Sequence, residues 1–105
     1  MNEVPSAAND QSTERMKQLV FEIVQALVDE PNAVSVEVIE DHESTILRVR
    51  VAPPDIGKVI GKQGRTARSL RTILGAASMK LHHRFSLDIL EEDDEDGDDQ
   101  QPLTN

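Results

Sequence analysis

The chain has 105 residues, a net charge of −9 and no cysteine. A length of this order holds one domain, and the lack of Cys removes disulfides, thiolate metal sites and cysteine nucleophiles. Charge this negative would also exclude nucleic acid if it were spread evenly, so its distribution decides the matter. Between Arg48 and Arg84 stand nine of the eleven basic residues against one acid, Asp55, a net of +8. The remainder carries −17, with eight of its acids in residues 91–99.

Taken in chain order, residues 1–12 are polar and aperiodic and are expected to be a disordered leader. This segment has neither a basic n-region nor an apolar h-region. No 18-residue apolar run occurs anywhere in the chain, so a soluble, cytoplasmic protein without a membrane segment is expected. From Ser12 or Thr13 as N-cap, apolar residues recur at Met16, Leu19, Val20, Ile23, Val24, Leu27 and Val28, which predicts an amphipathic helix. Pro31 disfavours helical geometry at Glu30 and ends it. Val34, Val36 and Val38 then alternate with polar residues, as do Leu47, Val49 and Val51 after the polar stretch from Glu40 to Ser44. That pattern is a β-hairpin. Pro53-Pro54 closes the second strand, and Asp55 is placed to cap a short helix through Ile56, Val59 and Ile60. Beyond Gly64 a further helix puts Ala67, Leu70, Leu74, Ala77 and Leu81 on one stripe, with Arg65, Arg68 and Arg71 turned away. Phe85, Leu87 and Ile89 form a last strand. The expected fold is α+β in the order αββααβ, with three helices on one face of a three-stranded mixed sheet. The domain spans 13–90, and residues 91–105 form an acidic, disordered tail.

The chemistry concentrates where two helices meet at Gly61-Lys62-Gln63-Gly64. Gly61 is suited to a positive φ at a helix C-terminus, and Gly64 lets a ligand backbone approach the next helix closely. Unpaired amides at Arg65 and Thr66, together with the positive end of that helix, favour an anion, and Lys58, Lys62, Arg65 and Arg68 add cationic charge. Within this order of elements, Ile60-Gly61-Lys62-Gln63-Gly64 resembles the type II K-homology (KH) domain, the likeness running from Met16 to Leu90. It lies nearest the small bacterial single-KH proteins of the KhpA type. The resemblance implies an RNA-binding protein, an RNA chaperone or post-transcriptional regulator, that clamps about four nucleotides of single-stranded RNA. Ile56, Val59 and Ile60 are then candidate walls of an apolar groove. Ala67 departs from the family pattern, which often has a bulky aliphatic there. The resemblance further implies a homodimer, or a heteromer with a second KH-bearing protein of the KhpB type, and links to cell shape and envelope homeostasis.

Other readings of the same residues are weaker. Gly57 followed by Gly61-Lys62 is one residue short of a P-loop, and Gln63 stands where a magnesium-binding hydroxyl is needed. No nucleophile-base-orienter set is legible, so neither an enzyme nor a cofactor is expected. The competing classes are a protein-interaction module and a helix-turn-helix DNA reader. His82-His83 is expected to meet a helix C-terminal dipole rather than a metal. Arg48 and Arg50 either track RNA or solvate the open sheet face. The acidic run is a solubilising tail or, alternatively, folds back on the basic surface.

Overall fold

The computed structural model describes residues 4–41 and 44–91. His42 and Glu43 of the expected turn, and the acidic run past Glu91, lie outside the described residues. Helix α1 spans Val4–Leu27. It begins well before Thr13, which is not a cap but a buried residue inside the helix, and residues 4–12, read from the sequence as part of a leader, belong to it. Once a packed segment nucleates a helix, each added residue gains a backbone bond at little further cost. Pro5 falls in the first turn, where a missing N–H loses nothing. At the other end Glu30 takes a non-helical φ of −118° before Pro31, the effect expected of a pre-proline residue.

Strands β1 (Ser35–Glu40) and β2 (Ser44–Arg50) pair antiparallel, with Val36 opposite Val49 and Val38 opposite Leu47. The Asp41 amide donates to the Ser44 carbonyl at 2.8 Å and closes the hairpin. A five-residue helix α2 (Ile56–Ile60) and helix α3 (Arg65–Leu81) form the crossover to β3 (Arg84–Ile89), which lies parallel to β2. The strand order is β1-β2-β3, a mixed sheet in the sequence αββααβ. Alternation sends Val36, Leu47, Val49, Phe85, Leu87 and Ile89 to one face, where they pack with Val20 and Val24 of α1 and Leu70 and Leu74 of α3. The stripe on α1 is narrower than its apolar pattern. Leu19 and Leu27 sit at its margins and remain exposed.

On the far face Arg48 pairs with Asp88 of β3 at 3.0 Å, which links the two parallel strands. Ser78 joins α3 to β3: the Phe85 amide donates to its hydroxyl, which itself donates to the Leu74 carbonyl, both at 2.8 Å. His83 stacks edge-on to Phe85 and shares a 2.7 Å hydrogen bond with the buried Thr45 hydroxyl. His82 takes a left-handed φ of 56° at the end of α3. The histidine pair thus closes the helix against the sheet. Among the described residues no group of His, Cys, Asp or Glu is placed to hold a metal ion.

Asp55 has a different task from the one its position indicates. It stands at the N-cap of α2, yet its side chain makes no capping bond. The carboxylate is instead buried and accepts the Glu30 amide at 3.0 Å, bracing the α1–β1 connection against the start of α2. Lys58 meets the same carboxylate at 3.6 Å and Asp29 at 3.4 Å. Removing a buried acceptor strands its donors, which typically costs about 1–3 kcal/mol. Asp55→Ala is therefore expected to lower the stability by about that much in urea titration, with Asp55→Asn, which keeps a carbonyl acceptor, falling between. Equal stability of Asp55→Ala and the parent chain would show that the brace carries no weight.

Candidate nucleic-acid interface

The turn between α2 and α3 is built from four residues, of which three have left-handed φ. Gly61 has φ 82° and ψ 165°, which ends the helical path; Gln63 follows at φ 58° and Gly64 at φ 74°. The reversal brings Gly61 directly onto Thr66 of α3. A Cβ at Gly61 would lie 2.7 Å from the Thr66 backbone nitrogen and would collide with its hydroxyl. At Gly64 the nearest obstacle to a Cβ is the Arg68 guanidinium at 3.8 Å, so only the backbone conformation there favours glycine. Gln63 is not glycine, and a left-handed L-residue costs about 1–2 kcal/mol. Its carbonyl accepts a bond from Arg68 Nη2 at 3.3 Å, which helps hold the conformation.

The turn lies at the surface, with Lys62, Gln63 and Arg65 exposed. Its amides are less available than the sequence led one to expect. The Gly61 N–H donates to the Gly57 carbonyl at 2.8 Å and the Gly64 N–H to the Gly61 carbonyl at 2.9 Å. The Arg65 N–H donates to the Lys62 carbonyl. A tight turn satisfies its own backbone first, so attraction for an anion rests chiefly on side-chain charge and on the end of α3.

The ten residues picked from the sequence do not stay together. Gly61, Lys62, Gln63, Gly64, Arg65 and Arg68 come together at the turn. Lys62 and Arg65 form no ion pair among the described residues. Lys58 is drawn to the opposite side of α2 by Asp29 and Asp55, and its charge there is largely answered. Val59 is fully buried and belongs to the core, not to any groove. In a five-residue helix one position must face inward, and the sheet takes Val59. Ile56 is half-buried but does not line the cleft beside the turn. Ile60 does.

That cleft, of about 430 Å³, opens between the turn, α3 and the end of β3. Its apolar lining comes from Ile60, Ala67 and Ile89, with Arg68, Arg71 and Glu91 as the charged lining and Gly64 next to the turn. Ala67 is buried, and the absence of a larger side chain leaves the depth that a bulkier residue would fill. Arg71, Ile89 and Glu91 were not among the residues picked from the sequence, and Ala67 entered only as a departure from the family pattern. The three-residue spacing of Arg65, Arg68 and Arg71 on one helix made Arg71 findable. Nothing local signals Ile89 and Glu91, because they reach the cleft only through the parallel pairing of β3 with β2.

An αββααβ chain with a mixed three-stranded sheet, helices on one face and a glycine-bracketed turn joining its second and third helices is a type II KH domain. The family model described as KhpA/KhpB, KH domain, matches residues 17–89, and the chain belongs to that family. Over 75 residues, 71% of this chain and all of the relative, it is 49% identical to a protein of Caldanaerobacter subterraneus subsp. tengcongensis named RNA-binding protein KhpA. Relatives of the same name are 49% identical over 76 residues in Halalkalibacterium halodurans (72% of this chain, all of the relative) and 47% identical over 74 residues in Borreliella burgdorferi (70% and 90%). A solved structure of Era from Aquifex aeolicus overlaps 73% of this chain and 31% of its own at a TM-score of 0.49 and 15% identity, which adds nothing to the family match.

The two bracketing glycines should respond differently to substitution. Gly61→Ala combines a left-handed penalty with a steric collision and is expected to cost about 2–4 kcal/mol. Gly64→Ala should cost about 1–2 kcal/mol, while Gly75→Ala, in open space on α3, should stabilise by about 0.5–1 kcal/mol. Thermal or urea unfolding of the three variants ranks them, and a Gly61→Ala chain no less stable than Gly64→Ala would contradict the packing against Thr66.

Proposed function

We propose that this chain is a non-enzymatic RNA-binding KH protein that holds single-stranded RNA along the Gly61–Gly64 turn and the adjoining cleft. The observation that carries the reading is the composition of that cleft, an apolar lining of Ile60, Ala67 and Ile89 edged by Arg68 and Arg71. A nucleotide has the same division, an apolar base joined to an anionic phosphate. The strand's phosphates run past Lys62, Arg65 and Arg68 at the turn, while a base settles on the aliphatic side chains. The relatives are named RNA-binding protein, which agrees with this assignment.

Aromatic stacking plays no part. The chain's two aromatics are Phe21 and Phe85, the first half-buried against the core and the second buried. Modules that read RNA on exposed rings gain about 1–3 kcal/mol per stacked base. A cleft with aliphatic walls forgoes that gain, so binding by one domain is weak and tolerant of sequence. Weak, permissive contacts suit a chaperone or post-transcriptional regulator, and they call for a second RNA-binding surface to raise avidity. A second copy or a KhpB-type partner would supply it. Among the described residues no helix is long and apolar enough to cross a membrane, and the reading places the protein in the cytoplasm.

The double variant Lys62→Asp/Gln63→Asp tests the assignment. It sets two carboxylates on an exposed turn, and Asp tolerates the left-handed conformation at position 63. Affinity for a short single-stranded RNA, read by fluorescence anisotropy, should fall about tenfold to hundredfold with melting temperature unchanged. For the parent chain, engagement of three or four phosphates predicts that log K falls against log salt with a slope of about −2 to −3. Duplex DNA should compete poorly. A folded double variant that binds RNA like the parent would end the proposal, and preference for duplex DNA would turn it toward a helix-turn-helix reader.

A further inference from the structure

The charge of this chain is divided, with its basic residues concentrated between Arg48 and Arg84 and its acidic run following β3 in the chain. The acidic run follows β3, and the exit of β3 is fixed: the Leu90 amide donates to the Val49 carbonyl at 2.9 Å, continuing the parallel ladder one residue past the strand. Glu91 then lines the cleft alongside Arg68 and Arg71. The next eight residues, 92–99, carry seven carboxylates and no basic residue. They therefore start at the mouth of the cleft itself. Along the turn and α3, Lys62, Arg65, Arg68 and Arg71 stand with no acid anywhere in the sequence between Ile60 and Thr72.

We propose that the acidic run at residues 92–99 docks in cis on this cleft and its rim of cations, in the place the RNA backbone would take, so that the protein carries its own competitor. The inference rests on the RNA reading of the cleft for its consequence, though not for the docking. Carboxylates and phosphate oxygens ask the same thing of a guanidinium, a planar fork of N–H donors. Arg68 and Arg71 each spend one Nη2 donor on a carbonyl, at 3.3 and 3.4 Å, out of the five N–H donors a guanidinium offers. Reach is no obstacle. Eight extended residues span about 26–29 Å, several times the width of a cleft of this volume. Tethering at Glu91 also holds the run at an effective concentration in the millimolar range, which makes weak individual contacts count.

The consequence is a threshold. RNA must displace a tethered polyanion, so a ligand offering a few phosphates at once succeeds where a single phosphate fails. At high ionic strength both the tail and the RNA are screened, and the difference that the tail makes shrinks.

The test uses the full-length chain with the run neutralised at constant length: Glu92→Gln, Glu95→Gln, and the five aspartates between positions 93 and 99 changed to Asn. Two readouts are compared with the parent: affinity for a short single-stranded RNA across a salt series, and the backbone amide NMR spectrum without RNA. Docking predicts about tenfold tighter RNA binding at low salt, converging with the parent as salt rises. It also predicts shifted amide resonances for Gly64, Ala67 and Arg68 in the RNA-free protein. Tighter binding with those resonances unmoved would mean diffuse repulsion by the tail and would overturn the proposal. Unchanged affinity and unchanged spectra would overturn it too, leaving the RNA assignment to stand or fall on the Lys62→Asp/Gln63→Asp variant. If the resonances shift and neither chain binds RNA, docking is upheld and the RNA reading falls.

Discussion

The site depends on how closely Gly61 approaches Thr66. With no side chain at position 61, the chain leaves α2 at a φ of 82° and passes against the first turn of α3 without leaving room for a single added carbon. That contact sets where the two helices meet, and hence where Lys62, Gln63 and Gly64 project. The tightness also explains why the turn satisfies several of its own amides. A four-residue reversal this compact closes its bonds at Gly61, Gly64 and Arg65 internally. What it presents outward is chiefly the exposed side chains of Lys62, Gln63 and Arg65.

A second layer of constraint lies on the other side of α2. Asp55 is buried and ties the α1–β1 connection to the start of that helix through Glu30, while Lys58 links it to Asp29. A five-residue helix has little stability of its own, because the cost of nucleation is spread over very few bonds. Val59 inside and Asp55 at the edge are what hold it. The basic residues near the turn thus divide their labour: Lys58 anchors the support, and Lys62 and Arg65 face solvent from it. A charge count over the segment gives no hint of that division.

The cleft explains how an acidic protein can offer a surface suited to an anion. Electrostatic attraction at a binding surface is set within about a Debye length, roughly 8–10 Å at physiological salt, so four cations along one turn and one helix face, with Glu91 as the acid lining the cleft, count for more there than the net charge of the chain. Acids that begin at the cleft mouth are a separate matter. They follow Glu91 directly in the chain, so the global charge becomes part of the binding problem again.

The sequence by itself determined the order of the elements, the turn between α2 and α3, and the basic face of α3. Each of these is a local property: periods of two and 3.6, prolines that stop an element, and glycines spaced by a four-residue bend. It also carried enough of the KH pattern for the family to be legible, since that pattern is contiguous. Only the tertiary structure decided which of the candidate residues border the cleft and which others join them. Val59 turned inward and Lys58 turned toward Asp29 because packing and ion pairing on the far side of α2 claimed them, a competition that no local spacing encodes. Asp55 sat where a cap belongs and bonded instead to Glu30, twenty-five residues away. Ile89 and Glu91 entered the site from the other end of the domain, brought there by the parallel pairing of β3 with β2. Contacts between segments distant in the chain depend on the whole fold closing at once, and for that reason the turn and its near wall, Ile60, Gly64 and Arg68, could be read in advance and the wall from β3 could not.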